Sequence, residues 1–396
     1  MPGRYLDRTW TYKPEIYAPT KYKRACKYRA FIPTSLAALD VRLDLSISGV
    51  VSEAENAIRK LNDVGGPNLG PLARLLLRTE SIASSKVEGM QLGVRELARA
   101  EAKVESGEKT SQTAREVLAN IDAMVLAVEE AATRPTFEIS DIIAIHQRLL
   151  ERSEYRRIAG VLRTGQNWIG GNDHNPCGAD FVPPPPEMVP PLLADVSAAI
   201  NDDQLSPLVQ AALVHAQFET IHPFDDGSGR TGRALIHVVL RRRGLAPRYV
   251  PPVSLALAAS KDRYVAGLTD FRGDDVARWI EYFATASTAA SHQALEYLTA
   301  AARLCEEWRA RLQQNDPPRQ GAAAWALIDV LPAHPILTAT MATAATGRAK
   351  AAIYDAIGQL EKADVLKPLS RSQRNQSWEP AGLLDLIAAM EAGRLQ

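Results

Sequence analysis

HPFDDGSGRTGR, residues 222–233, places an imidazole, two carboxylates, a glycine-rich turn and two arginines in one short stretch. Helical sequence flanks it on both sides. LVQAALVHAQFET leads in after Ser206-Pro207, where serine suits an N-cap and proline's fixed φ suits the first helical position. TGRALIHVVLRRR leads out, with Leu235, Val238 and Val239 at i, i+3 and i+4. Gly244 reads as the C′ residue of that helix, and Pro247 prevents its continuation. The stretch is therefore a loop between two helices, its glycines at the start of the second.

That arrangement points to phosphate chemistry. Gly227-Ser228-Gly229 can turn backbone amides inward, and the following helix adds its own N-terminal amides and the positive end of its dipole. Arg230 and Arg233, three residues apart, share one side of the first helical turn. Two guanidiniums beside such a nest suit a polyphosphate better than a lone carboxylate. Asp226 at the mouth would repel that ligand unless a cation lay between them. Mg²⁺ prefers a few carboxylate oxygens plus phosphate oxygens, so Asp226 is the expected metal ligand. His222 exchanges protons near neutral pH and is the expected general base toward an incoming hydroxyl. An N-capped helix would need none of the paired arginines, which are costly there without an anion.

Composition sets the bounds. The 396 residues allow two or three domains, and 46 basic residues balance 46 acidic ones, so bulk charge gives no argument for nucleic acid. Residues 1–30 are locally basic, eight Lys or Arg against two acids, which reads as a solvated terminal arm. No apolar run approaches the roughly 20 residues of a membrane span. Cys26, Cys177 and Cys305 are odd in number and widely spaced, suiting neither a disulfide framework nor a zinc site. A reduced, cytoplasmic protein follows as the default.

The motif resembles the Fic signature, HPFx(D/E)GNGRxxR. It matches at His222, Pro223, Phe224, Asp226, Gly227, Gly229, Arg230 and Arg233, and departs at Ser228, where the family has asparagine. The resemblance implies a compact helical fold that transfers AMP from ATP to a protein hydroxyl, with His222 as base and Mg²⁺ on Asp226. It further implies a phosphate-binding set of Gly227, Ser228, Gly229, Arg230, Thr231, Gly232 and Arg233. SIASSKVEG, residues 81–89, resembles the Fic inhibitory motif (S/T)xxxE(G/N) at Ser84, Glu88 and Gly89. On pattern alone the polar stripe Ser81, Ser84, Ser85, Glu88 could be a solvated helix face. The resemblance instead implies a brake, Glu88 pairing with Arg233 and displacing the γ-phosphate.

Two further segments resemble Fic parts. Asn167-Trp168-Ile169 and Phe181-Val182 flank a polar loop and read as a β-hairpin flap, with Trp168, Ile169 and Phe181 expected to dock a target segment. SKDRYVAGL resembles the helix bordering the base pocket, making Tyr264 the expected adenine contact. His146, His215 and His237 lie on apolar helix faces as core histidines.

The expected organisation is a mainly α chain: an N-terminal helical region with the inhibitory helix at 1–110, a Fic-type core with its flap at 111–290, a helix and linker at 291–320, and a winged-helix-like domain at 321–396. That last region carries seven basic and seven acidic residues, with Lys367, Arg371 and Arg374 clustered in the expected wing. DNA binding is one reading of it, and protein contact or dimer packing is another. The expected partners are ATP, an unidentified protein target, the chain itself through self-modification, and a second copy in a homodimer. De-AMPylation, or transfer of another nucleotidyl or phosphoryl group, is the alternative on the same scaffold.

Overall fold

The computed structural model describes residues 3–12, 14, 17–64, 69–105, 107–314, 317–369 and 376–394. In chain order the elements are β1 (Gly3–Trp10), β2 (Cys26–Pro33), α1 (Leu45–Asn62), α2 (Leu69–Val87), α3 (Val94–Glu105), α4 (Gln112–Val125) and α5 (Ile139–Leu150). Next come α6 (Val189–Asn201), α7 (Pro207–Ile221), α8 (Ser228–Arg242), α9 (Val253–Ala259), α10 (Lys261–Arg272) and α11 (Val276–Gln314). The last are α12 (Ala323–Val330), β3 (Leu337–Thr338), α13 (Ala339–Thr346), α14 (Lys350–Lys362), β4 (Leu366–Pro368), β5 (Ser377–Pro380) and α15 (Leu383–Glu391). The protein is mainly helical with small antiparallel sheets.

The chain divides into two compact units, each made of three segments: 1–55, 122–245 and 260–285 in the first, and 56–121, 246–259 and 286–396 in the second. The sequential boundaries expected at 110, 290 and 320 do not describe this division. Nor does a separate helix begin at 291, because α11 runs unbroken through 39 residues.

In the first unit α7 is buried on every side from Leu208 to Ile221, the mark of a central helix. Trp279 fills the space beside it and donates from Nε1 to the Ala212 carbonyl at 2.9 Å. Ser206-Pro207 opens α7 as expected, but the serine side chain makes no cap. The Glu55 carboxylate accepts from Leu208 N at 3.3 Å and takes that role.

The N-terminal segment is not helical and not simply a solvated arm. β1 and β2 pair antiparallel from Gly3↔Pro33 to Trp10↔Cys26, and Tyr5, Thr9, Trp10, Tyr28, Phe31 and Ile32 supply the β-branched and aromatic residues a sheet favours. Cys26 at the end of this pairing is disulfide-bonded to Cys177, Cα–Cα 6.3 Å, which corrects the reading of the cysteines and removes the basis for expecting all three thiols reduced.

The second unit is built around α2, α9, the C-terminal half of α11 and the elements after it. Leu75, Leu76, Trp308, Leu327, Leu331, Ile353, Trp378 and Ile387 belong to one buried apolar cluster. Glu80, fully buried, accepts from Ser254 N at 2.8 Å and caps the start of α9. After α12 the order is β3, the helix pair α13–α14, then β4 and β5, in a three-stranded sheet of order β3-β5-β4. Of the basic cluster expected in the wing, Lys367 lies in β4, and Arg371 and Arg374 fall outside the described residues, as do Asn315 and Asp316 of the linker.

Candidate active site

α7 ends at His222, whose backbone is left-handed (φ 46°, ψ 64°), and His222 N closes the helix on Phe218 O at 2.9 Å. A non-glycine residue in this region is uncommon and carries strain. The loop then turns over a buried pillar, His146. The Phe224 ring stacks on the imidazole at 3.6 Å, nearly parallel. Gly160 N donates to His146 Nδ1 at 3.0 Å, so the proton sits on Nε2 and is given to the Asp226 carbonyl at 2.9 Å. Burial pushes this imidazole down to about 4, keeping it neutral. It is a structural histidine, as expected.

Gly227 (φ 77°) takes the chain into α8. A Cβ here would stand 3.0 Å from Leu149 Cδ2 and 3.3 Å from the His146 ring. Thr231 N is bonded back to Gly227 O, so Ser228, Gly229 and Arg230 supply the early amides that an α-helix leaves without a partner four residues back. Arg230 and Arg233 follow at 2% and 1% exposure. Arg230 Nη2 donates to Asp226 Oδ2 at 2.8 Å, the aspartate side chain remaining 39% exposed at the mouth. Gly244 (φ 67°) ends α8 as expected, with Leu245 N bonded to Leu240 O.

Ser228 does not face the mouth. Its hydroxyl accepts from Phe224 N at 3.1 Å and donates to Phe224 O at 3.2 Å, closing the loop on itself. The side chain of the residue that departs from the Fic signature is thus a loop clasp, only 1% exposed, and its backbone amide is what it offers at the start of α8.

Two residues central to this geometry escaped the sequence reading. Glu219 lies one turn before His222; its Oε2 is 4.0 Å from His222 Nδ1 and its Oε1 is 4.0 Å from Arg233 Nη1. The spacing i, i+3 was a usable signal. Arg163, 3% exposed, donates to the carbonyls of His222 (2.8 Å), Ile221 (3.2 Å), Gly165 (3.0 Å) and Pro184 (2.6 Å). Burial lowers it to about 10, and the ring of carbonyls still holds it as a cation. Asn167 Nδ2 adds bonds to His222 O at 3.2 Å and Phe224 O at 3.3 Å. The base of the flap is therefore fastened to the 222–233 loop.

The Fic/DOC family model matches residues 136–240, and the Fic/DOC N-terminal model matches residues 49–129. The segment 136–240 is thus similar to the Fic domain of that family. The chain is similar to the protein adenylyltransferase fic-1 of Caenorhabditis briggsae, 34% identical over 137 residues, covering 34% of this chain and 25% of that protein. The fic-1 of Caenorhabditis elegans is 33% identical over the same coverage, and a probable protein adenylyltransferase of Aquifex aeolicus is 41% identical over 69 residues, 17% of this chain and 22% of that one. The chain thus spans about a quarter of the length of the curated relatives it matches. In fold it resembles a Fic family protein from Desulfovibrio desulfuricans, TM-score 0.52 at 22% identity, covering 86% of this chain and 98% of that one. The same TM-score and identity relate it to residues 134–508 of C. elegans Fic-1, covering 65% and 74%.

The flap is looser than a hairpin ladder. Ile169 and Phe181 form one isolated bridge, because Gly170 and Gly171, both at positive φ, turn the chain immediately and prolines follow Val182. Ile169 is 41% exposed, whereas Trp168 packs edge-on against Trp10 at 5.6 Å and Phe181 lies under the Arg272 guanidinium at 3.9 Å. Tyr264 is 4% exposed, its hydroxyl 2.9 Å from His215 Nε2 and 3.5 Å from Glu219 Oε1. Packed this way its hydroxyl supports Glu219. His215 is a core histidine as expected, pushed to about 3 by burial.

Ser81, Ser84 and Ser85, in the second unit, are fully buried, which excludes the solvated-face reading of that stripe. Asn120 Nδ2 donates to Ser81 O at 2.7 Å and Ser85 Oγ at 3.0 Å. Glu88 and Gly89 follow, both exposed, Gly89 at φ 84°. Among the described residues no group of three or more His, Cys, Asp or Glu could cage a metal. The Asp226 carboxylate, paired with Arg230 and 39% exposed, fits Mg²⁺, which needs few protein oxygens when phosphate supplies the rest. Among the described residues no helix is long and apolar enough to cross a membrane.

Proposed function

We propose that this protein transfers AMP from ATP to a hydroxyl side chain of a protein target, itself included, in a Mg²⁺-dependent reaction. One observation carries the reading. A strained histidine, a positive-φ glycine and two buried arginines surround the start of α8, with the Arg230-paired carboxylate of Asp226 beside them. Glu219 stands 4.0 Å from Nδ1 of His222, which supports Nε2 as the proton-accepting atom. The acceptor hydroxyl loses its proton to His222 as its oxygen bonds to the α-phosphorus, and the bond from that phosphorus to the bridging oxygen breaks, releasing pyrophosphate. Arg230 and Arg233, with the α8 amides, hold the departing charge. Asp226 would hold Mg²⁺, which supplies charge neutralisation between the phosphates. Exchange of Arg230 for the metal and phosphates as partner of Asp226 is part of binding.

Glu88 is the brake in this proposal, competing with the γ-phosphate for Arg233. Radiolabelled ATP tests both parts. His222→Ala should lower self-labelling by at least 10²-fold, the ordinary contribution of a general base, and Glu88→Gly should raise it. Labelling that survives His222→Ala rejects the base assignment, and equal labelling by wild type and Glu88→Gly rejects the brake.

A further inference from the structure

The β1–β2 hairpin precedes both matched family regions, which begin at residue 49, and is joined to the flap at many points. The Cys26–Cys177 bond ties the end of β2 to the flap loop. Phe31 N donates to Val182 O at 2.9 Å, Asn175 Nδ2 donates to Tyr22 O at 3.4 Å, and Tyr22 stacks on His174 at 4.9 Å. With Trp10 on Trp168, hairpin and flap form one body beside the catalytic loop.

The outward side of this body is basic. Lys21, Lys23, Arg24, Lys27 and Arg29 are exposed, and among the described residues none of them forms an ion pair with a carboxylate; Arg4 shares the opposite face with Ile32. Three are held by rings instead: Lys21 over Tyr22 at 4.5 Å, Lys23 over Tyr12 at 5.5 Å and Arg29 over Tyr5 at 4.2 Å. Such stacking restrains a long side chain while its charge stays in water, lowering the entropy lost when an anion binds. Arg8 is the exception, paired with Glu187 at 2.6 Å. Among the described residues near these cations, the exposed acids are Asp7, which stands opposite Arg29 in the ladder, Asp173, Asp180 and the Arg8-bound Glu187. In a chain with no net charge this is a localised field. β1 also pairs only with β2 among the described residues, leaving an edge able to receive an extended segment.

We infer that the β1–β2 hairpin and the flap form a single docking surface for an extended acidic segment of the protein target, the hairpin reading charge and the flap presenting the acceptor hydroxyl. This rests on the transfer reading above for its purpose, but the binding is measured without transfer. The probe is a fluorescein-labelled twelve-residue peptide rich in glutamate with one tyrosine, compared with its glutamine-for-glutamate counterpart, on the full chain by fluorescence anisotropy. The acidic peptide should bind at least about 10-fold tighter than the neutral one, and raising NaCl from about 50 to 300 mM should remove most of that difference. Lys21→Glu, Lys23→Glu, Arg24→Glu and Lys27→Glu together should abolish it while leaving ATP affinity and the melting temperature unchanged. Arg24→Glu with Lys27→Glu alone should lose part of it.

Equal binding of the two peptides, or no binding, overturns the inference. So does tighter binding of duplex DNA with the same four-residue dependence, or self-association that the four reversals abolish. If the acidic peptide binds as expected but its tyrosine never receives label from ATP in the Glu88→Gly background, the surface stands and the transfer reading falls.

Discussion

Gly227→Ala tests how tightly the loop is specified. Two costs meet at this position. The backbone is left-handed at φ 77°, which costs an alanine about 1 kcal/mol or somewhat more. The new methyl would also stand 3.0 Å from Leu149 Cδ2 and 3.3 Å from His146, and neither neighbour can yield freely. Leu149 is 1% exposed, and His146 is fixed by both ring nitrogens and by its stack on Phe224. Overpacking of this kind costs about 1–3 kcal/mol, so the total is about 2–4 kcal/mol. For a unit of about two hundred residues this lowers the melting temperature by roughly 5–15 °C. Gly178→Ala is the matched comparison: φ is 79°, but nothing lies within 4 Å of its Cβ, so only the backbone cost applies. Differential scanning calorimetry of both variants separates the two contributions, and nucleotide titration follows the loop's ability to bind phosphate. If Gly227→Ala melts within about 2 °C of Gly178→Ala, the packing argument is wrong.

Arg163→Lys should lower AMP transfer by more than 10-fold with a smaller effect on ATP affinity, because an ammonium cannot span the four carbonyls that the planar guanidinium joins; unchanged labelling would show that flap and His222 loop are positioned by other means. Alkylation under native conditions followed by mass spectrometry should find Cys26 and Cys177 protected as a disulfide, with buried Cys305, its thiol raised to about 11, reacting slowly. Since the bond closes a loop of 151 residues, Cys26→Ser should cost up to about 5 kcal/mol in the chain-entropy description, and three fully reactive thiols would remove the tether altogether. His146 and His215 have folded pKa values of about 4 and about 3 against an unfolded value near 6.5, so the unfolded chain binds more protons and stability falls as pH drops below 6.5. At pH 5 each should cost about 2 kcal/mol relative to pH 7, the loss continuing to about pH 4 for His146 and about pH 3 for His215. Urea midpoints that do not move between pH 7 and 5 would refute their neutral burial.

What the sequence disclosed was local. Residues 222–233 announce their own turn, and Gly244 and Pro247 announce where α8 stops, because each acts on its immediate backbone. Glu219 was within reach by the same logic, one turn from His222. Arg163 was not, since its carbonyl partners lie up to 59 residues away and carbonyls have no signature in sequence. The clasp made by the Ser228 hydroxyl on Phe224 was hidden for a related reason, because residue type does not fix a rotamer. β1 and β2 pair across a gap that no helical or strand period marks, so the segment read as an arm, and its disulfide partner lies far along the chain. The flap was given too much sheet because its aromatic residues favour strands more than Gly170 and Gly171 permit.

The three-segment construction of each unit has a consequence for biosynthesis. At roughly 5–20 residues per second, a ribosome takes on the order of tens of seconds to pass from the N-terminal hairpin to residue 285, where the last piece of the first unit emerges. Until then neither half can close. The 222–233 loop obtains its surroundings first, while α2 must await the strands and helices of the final hundred or so residues. Nascent chains would therefore complete the first unit before the second.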